Sequence, residues 1–141
     1  MSTIRNRMGA NGKERHMEPT TFLRLAYAAN LFILVPVVPA LAFGGGVASV
    51  FDGKVDESAG LRLLVASLWG AILVASAIGL IWPRPFWPVL LVQIVYKSAW
   101  LIVFVWPLWR AGGADVVPLG VAGTFVAIVG TYPFLLWFGT R

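Results

Sequence analysis

Four stretches of about 20 residues, almost free of charge, alternate along the chain with short segments rich in Gly, Pro and charged side chains. At 1.5 Å of rise per residue, each stretch can cross about 30 Å of hydrocarbon as an α-helix, which satisfies its own backbone where water cannot. The pattern predicts spans over 22–43, 61–82, 86–106 and 117–138. Residues 1–21 read as a basic tail ahead of a transmembrane domain covering 22–141. Pro36 and Pro39 each remove a backbone donor, so the second half of the first span is expected to kink before Gly44-Gly45-Gly46 ends it. The proline-rich turn from Trp82 to Pro88 makes the second and third spans antiparallel neighbours. Pro107 is expected to close the third span, and the stretch Ala111 to Asp115 to form a short loop before the fourth. The predicted fold class is an all-α membrane protein with four transmembrane helices in an up-down-up-down bundle.

Composition sharpens this picture. Of 141 residues, 59% are hydrophobic and 12% charged, against about 25% charged in a typical soluble domain. Orientation follows from Lys and Arg in the short flanks. With the N-terminus inside, Arg5, Arg7, Lys13, Arg15, Arg24, Arg84 and Arg141 fall on the inner side, against Lys54, Arg62 and Arg110 outside. Both termini are therefore expected in the cytoplasm. Trp82, Trp87 and Trp137 then suit the inner interfacial belt, and Trp106 and Trp109 the outer one. A formal net charge of +5 placed this way suits anionic membrane lipid and not nucleic acid. A competing reading takes the first stretch as a signal peptide cleaved after Ala40-Leu41-Ala42, but the apolar run is longer than such a peptide's core.

Candidate chemistry centres on Lys97. It lies about 16 Å into the third span by helical rise, a placement that costs about 2.5–3.5 kcal/mol on insertion scales. No Asp or Glu falls within a predicted span, so the ammonium needs another arrangement. It can lose its proton, bond carbonyls freed by Pro36, Pro39 or Pro133, or meet an anion, a ligand carbonyl or a partner's carboxylate. Gln93 shares its helical face at i−4, and Tyr96 adjoins it. Asn30, Ser76, Thr131 and Tyr132 come from the other three spans at similar depth, within about one helical turn. Together they form a candidate polar layer, readable as interhelical glue or as a ligand site. Small residues line one face of the second span (Ser67, Ala71, Ala75, Gly79) and of the fourth (Gly120, Gly123, Ala127, Gly130), and are expected to pack inside the bundle rather than against a second copy.

Other signals are weaker. Asp52, Asp56 and Glu57 lack a calcium-loop pattern, and His16 stands alone in the tail. The absence of Cys removes thiol and disulfide chemistry. No Gly-rich phosphate loop, paired-carboxylate site or Ser/His/Asp set is present, which disfavours an enzyme, although one using Lys97 and Tyr96 stays third in order.

The segment Gly79–Trp100, with its Pro-Arg turn followed by Gln93, Tyr96, Lys97 and Trp100 as Gln-x-x-Tyr-Lys-x-x-Trp, resembles small four-helix bacterial membrane proteins of unassigned function. The resemblance covers mainly the second and third spans and implies the fold only, with no activity; the expected location is a bacterial inner membrane. The chain lacks the membrane-embedded acid of small multidrug transporters and the cysteines of quinone-linked thiol oxidases. Two function classes follow. The first is a non-enzymatic accessory or scaffold subunit, with a membrane protein partner or a second copy. The second is a carrier or binder of a small anionic or carbonyl-bearing ligand, such as a lipid or quinone, using Lys97. The sequence names no cofactor. Whether a cavity opens beside Lys97 separates the two.

Overall fold

The computed structural model describes residues 18–43 and 45–141. Most of the expected basic tail, with His16, and also Gly44 lie outside the described residues. The helices are α1 (Pro19–Ala42), α2 (Gly46–Val50), α3 (Ala59–Ile81), α4 (Pro83–Trp100), α5 (Trp106–Gly112) and α6 (Leu119–Gly139). A π-turn over Leu101–Val105 joins α4 to α5 as one rod, and a 3₁₀ turn over Gly113–Val116 leads into α6. Four of these bodies, α1, α3, the α4–α5 rod and α6, are long and apolar enough to cross a membrane. The chain is an all-α, four-helix integral membrane protein. Around the bundle the order is α1, α3, α4, α6, with α6 closing against α1. One end carries Glu18, the Trp82 turn and Thr140 and is called the terminal end; the other carries α2 and the 3₁₀ turn and is called the loop end.

Prolines set the helix boundaries differently from expectation. Pro19 and Pro83 occupy first-turn positions, where the missing N–H has no intrahelical partner to lose. The first and third helices therefore start before residues 22 and 86. Pro107 does not close the third helix. Ahead of it the Trp106 N–H donates to the Leu101 carbonyl, five residues back. The widened turn moves the carbonyl that a proline ring would strike, so the helix continues to Gly112. It ends at Gly113, whose φ of 66° suits a residue without Cβ. Pro36, Pro39, Pro88 and Pro133 stand inside helices at exposed positions.

Two clusters fill the interior. Leu34, Leu41, Val47, Ala66, Trp69, Ile72, Val121 and Phe125 pack toward the loop end. Leu23, Ala26, Tyr27, Leu90, Ile128 and Tyr132 pack toward the terminal end. Gly79 is buried because the Tyr27 ring lies across it, 2.9 Å from where a Cβ would stand. This lets the Tyr27 hydroxyl donate to the Pro83 carbonyl at 2.9 Å, tying α1 to the turn between α3 and α4.

The small-residue stripes are otherwise placed differently from expectation. Ser67, Ala71, Gly120, Gly123, Ala127 and Gly130 are exposed, and Ala75 is half-buried. The inward face of α3 is Ala66, Trp69, Ile72, Ser76 and Gly79; that of α6 is Val121, Phe125, Ile128 and Tyr132. These larger side chains recur at i+3 and i+4 and fill the space between four helices, so the small face turns outward.

Candidate functional site

The polar residues expected at one depth separate into two groups. The first is closed. Asn30 on α1 and Ser76 on α3 are fully buried, and Tyr132 on α6 is 2% exposed. The Asn30 Nδ2 donates to Ser76 Oγ at 2.9 Å. The Tyr132 hydroxyl lies 2.5 Å from Asn30 Oδ1 and 3.1 Å from the Ala26 carbonyl. Three helices are thus joined through one amide. Thr131 does not join them: it is exposed, and its hydroxyl donates to the Ala127 carbonyl of its own helix at 2.7 Å. A threonine can satisfy itself by bonding back along a helix, so its depth alone did not place it inside.

The second group lies on α4 and is open. Lys97 is 3% and Gln93 1% exposed. Their i, i+4 spacing puts both on one face, and Lys97 Nζ donates to Gln93 Oε1 at 2.7 Å and to the Tyr96 hydroxyl at 2.6 Å. Nζ also stands 4.5 Å from the Tyr96 ring centroid and 5.0 Å from that of Phe125, within reach of a cation–π contact. No proline-freed carbonyl, that of Val129 ahead of Pro133 included, receives a hydrogen bond from Lys97, whose bonds go to Gln93 and Tyr96. Pro36 and Pro39 leave free the carbonyls of Phe32 and Val35, and all four residues are exposed. Gln93 Nε2 is buried and has no hydrogen-bond partner among the described residues.

Gln93 is also among the residues that line a cavity of about 280 Å³. Asn30, Gln93, Tyr96 and Lys97 supply its polar lining; Ile33, Val37, Trp69 and Phe125 are among its apolar walls. The lining continues to Gly120 and Thr124 on α6 and to Ser49 on α2, so the space leads from the polar floor toward the loop end. From Ile128 to Gly120 this is about 12 Å of helical rise. At the mouth the Gly120 N–H donates to Asp52 Oδ2 at 3.3 Å, which places a carboxylate on the positive end of α6. The chain matches no protein-family model, no curated protein and no solved structure.

An aromatic cluster stiffens the cavity wall. Phe125 meets Trp100 at 5.1 Å, Tyr96 at 6.0 Å and Trp69 at 6.1 Å between ring centroids, each edge to face. Sequence reading passed over Trp69 and Phe125. A signal was available for Trp69, which lies about 15 Å into α3 by rise and so away from either interfacial belt. Among the described residues no group of His, Cys, Asp or Glu could hold a metal ion. The arrangement offers hydrogen-bond donors at the base of an apolar recess, a construction suited to orienting a ligand by one polar end.

Proposed function

We propose that this protein binds a small, largely apolar molecule by a hydrogen-bond acceptor seated on Lys97 and Gln93, in the cavity between α1, α4 and α6. The observation that carries the reading is a cavity whose lining includes both Lys97 and Gln93, where the Gln93 Nε2 is buried without a partner among the described residues. Interhelical glue leaves neither an idle donor nor a void, because an unsatisfied buried amide costs about 1–3 kcal/mol. Both ends of the bundle's terminal side lie in the cytoplasm of a bacterial inner membrane in this reading, so the cavity opens toward the outer face. The test is native mass spectrometry of the chain released from mild detergent. Wild type should carry a bound small molecule, and Val121→Trp, which fills the cavity from a lining position, should lack it while remaining monodisperse. An unchanged bound mass in the filled variant would refute the reading.

A second reading, an accessory or scaffold subunit, draws support from the outward small-residue stripes on α3 and α6, which suit close approach of another membrane helix, from a second copy or a different protein. The chain has no native Cys, so single cysteines at Ser67 or Gly123 would report such contact by crosslinking in native membranes. Crosslinked dimers at Gly123 but not at lipid-facing Val126 would favour it.

A further inference from the structure

The balance of donors and acceptors around Lys97 restricts the ligand further. An ammonium has three N–H groups, and two of those on Lys97 are engaged, by Gln93 Oε1 and the Tyr96 hydroxyl. The Gln93 Nε2 brings two more, neither with a partner among the described residues. The Tyr96 oxygen receives the lysine bond, which leaves its own hydrogen to donate. On the acceptor side, Asn30 Oδ1 receives the Tyr132 hydroxyl, and the hydroxyl oxygens of Ser49 and of Thr124, which donates to the Gly120 carbonyl at 2.9 Å, lie toward the mouth and not at the floor. Among the described residues no Asp or Glu lines the cavity. Asp52 stands at the mouth, held by the Gly120 N–H. The floor is therefore rich in donors and holds one basic side chain, with no carboxylate beside it among the described residues.

Resting on the ligand-binding reading above, we propose that the occupant is a lipophilic monocarboxylate. Its oxygens accept from Lys97 Nζ and Gln93 Nε2, and its apolar body lies along Ile33, Val37, Trp69 and Phe125. Three features select this class. A carboxylate brings two acceptor oxygens to two adjacent donor groups, the Lys97 amine and the Gln93 amide, which touch at 2.7 Å. It brings one negative charge to one cation, in a setting where an uncompensated charge is expensive. A quinone or ketone carbonyl supplies acceptors but no charge. A phosphate dianion would bring more charge than one lysine matches. The volume of about 280 Å³ is many times the ~10–15 Å³ that one water needs by the same measure, which leaves room for a body of octanoate's size.

The experiment uses the full chain in nanodiscs of uncharged lipid and measures saturable binding of radiolabelled octanoate by equilibrium dialysis, with octan-2-one as neutral competitor. Octanoate should bind about 10-fold more tightly than octan-2-one, the difference between charge-assisted and neutral hydrogen bonds. Lys97→Met should abolish the saturable component, Lys97→Arg should keep part of it, and Gln93→Leu should weaken it about 10-fold. Thr124→Trp, at a half-buried position of the mouth, should block binding with Lys97 in place, so a folding defect at residue 97 cannot decide the matter. Equal affinity for octan-2-one, or undiminished octanoate binding in Lys97→Met or Thr124→Trp, would overturn the carboxylate assignment. If octan-2-one binds saturably, the ligand-binding reading survives that outcome. If wild type binds neither probe, the carboxylate assignment falls, and a missing co-purified mass would remove the broader reading as well.

Discussion

Replacing Tyr132 by Phe tests whether the closed polar group holds three helices together. The substitution removes one oxygen and leaves the ring in place. That oxygen lies 2.5 Å from Asn30 Oδ1 and 3.1 Å from the Ala26 carbonyl. An interhelical hydrogen bond within a membrane contributes about 0.6 kcal/mol on average. Leaving Asn30 Oδ1 buried without its donor adds a desolvation penalty of about 1–3 kcal/mol. Tyr132→Phe should therefore cost about 2 kcal/mol. Asn30→Leu should cost less, under about 1 kcal/mol, because each former partner has a second choice. The Tyr132 hydroxyl keeps the Ala26 carbonyl, and the Ser76 hydroxyl can turn to the carbonyl four residues back along α3. In the double variant no acceptor is left waiting, so its cost should fall short of the sum of the single changes by about 1 kcal/mol. Reversible unfolding in mixed micelles of mild detergent and dodecyl sulfate measures all four chains. Additivity within about 0.5 kcal/mol would mean that the two groups do not act as one unit, and the network would then contribute no more than its separate bonds.

Two glycines that look alike in sequence should behave oppositely. Gly79→Leu should abolish folded protein, since even a Cβ there would meet the Tyr27 ring at 2.9 Å, whereas Gly123→Leu should leave the isolated bundle intact, since nothing lies within 4 Å of its Cβ position. Size-exclusion yield reads both, and loss of a native assembly in Gly123→Leu alone would mark the α6 stripe as an interface. In ligand-free protein Lys97→Met should be as stable as wild type or more so, because an apolar side chain replaces a buried charge; a loss of more than about 2 kcal/mol in the same unfolding assay would mean that Lys97 holds the bundle together. Reporter fusions after residue 20, after Arg84 and at Arg141 should read cytoplasmic, and those near Gly53 and Gly113 external. An external reading at Arg141 would reverse the orientation proposed for the cavity.

The four spans were legible because the bilayer demands uninterrupted apolar runs of about 20 residues, and few other structures need them. Helix ends were less so. Pro19 and Pro83 begin helices and Pro107 is carried within one, because a proline's effect depends on which carbonyl lies four residues before it. The faces were hardest. A soluble helix separates inside from outside by polarity, but lipid tails and protein interior are equally apolar, so Gly123 facing out and Phe125 facing in leave no periodic mark. Among polar residues the readable ones were those that cannot satisfy themselves. Asn30, Gln93 and Lys97 carry groups too costly to leave in lipid and are buried, whereas Thr131 bonds its own helix and lies outside.

Depth therefore groups residues that chemistry separates. Asn30, Ser76 and Tyr132 come from three helices and use one another's donors and acceptors, so any movement of one helix breaks a bond that lipid cannot replace. Such a group resists displacement and suits a fixed joint. Gln93, Tyr96 and Lys97 all come from α4, and their mutual bonds join no two helices. A bundle selected for stability alone would favour an apolar residue at position 97, since no hydrogen bond between helices recovers the lysine's insertion cost and its contact across to α6 is with the Phe125 ring alone. What the lysine and amide provide instead is a pair of donor-bearing side chains in the lining of a space of about 280 Å³. The joint formed by the first group keeps α1, α3 and α6 in register beside that space, so the apolar body of the proposed ligand would meet walls already in place and need little ordering to bind.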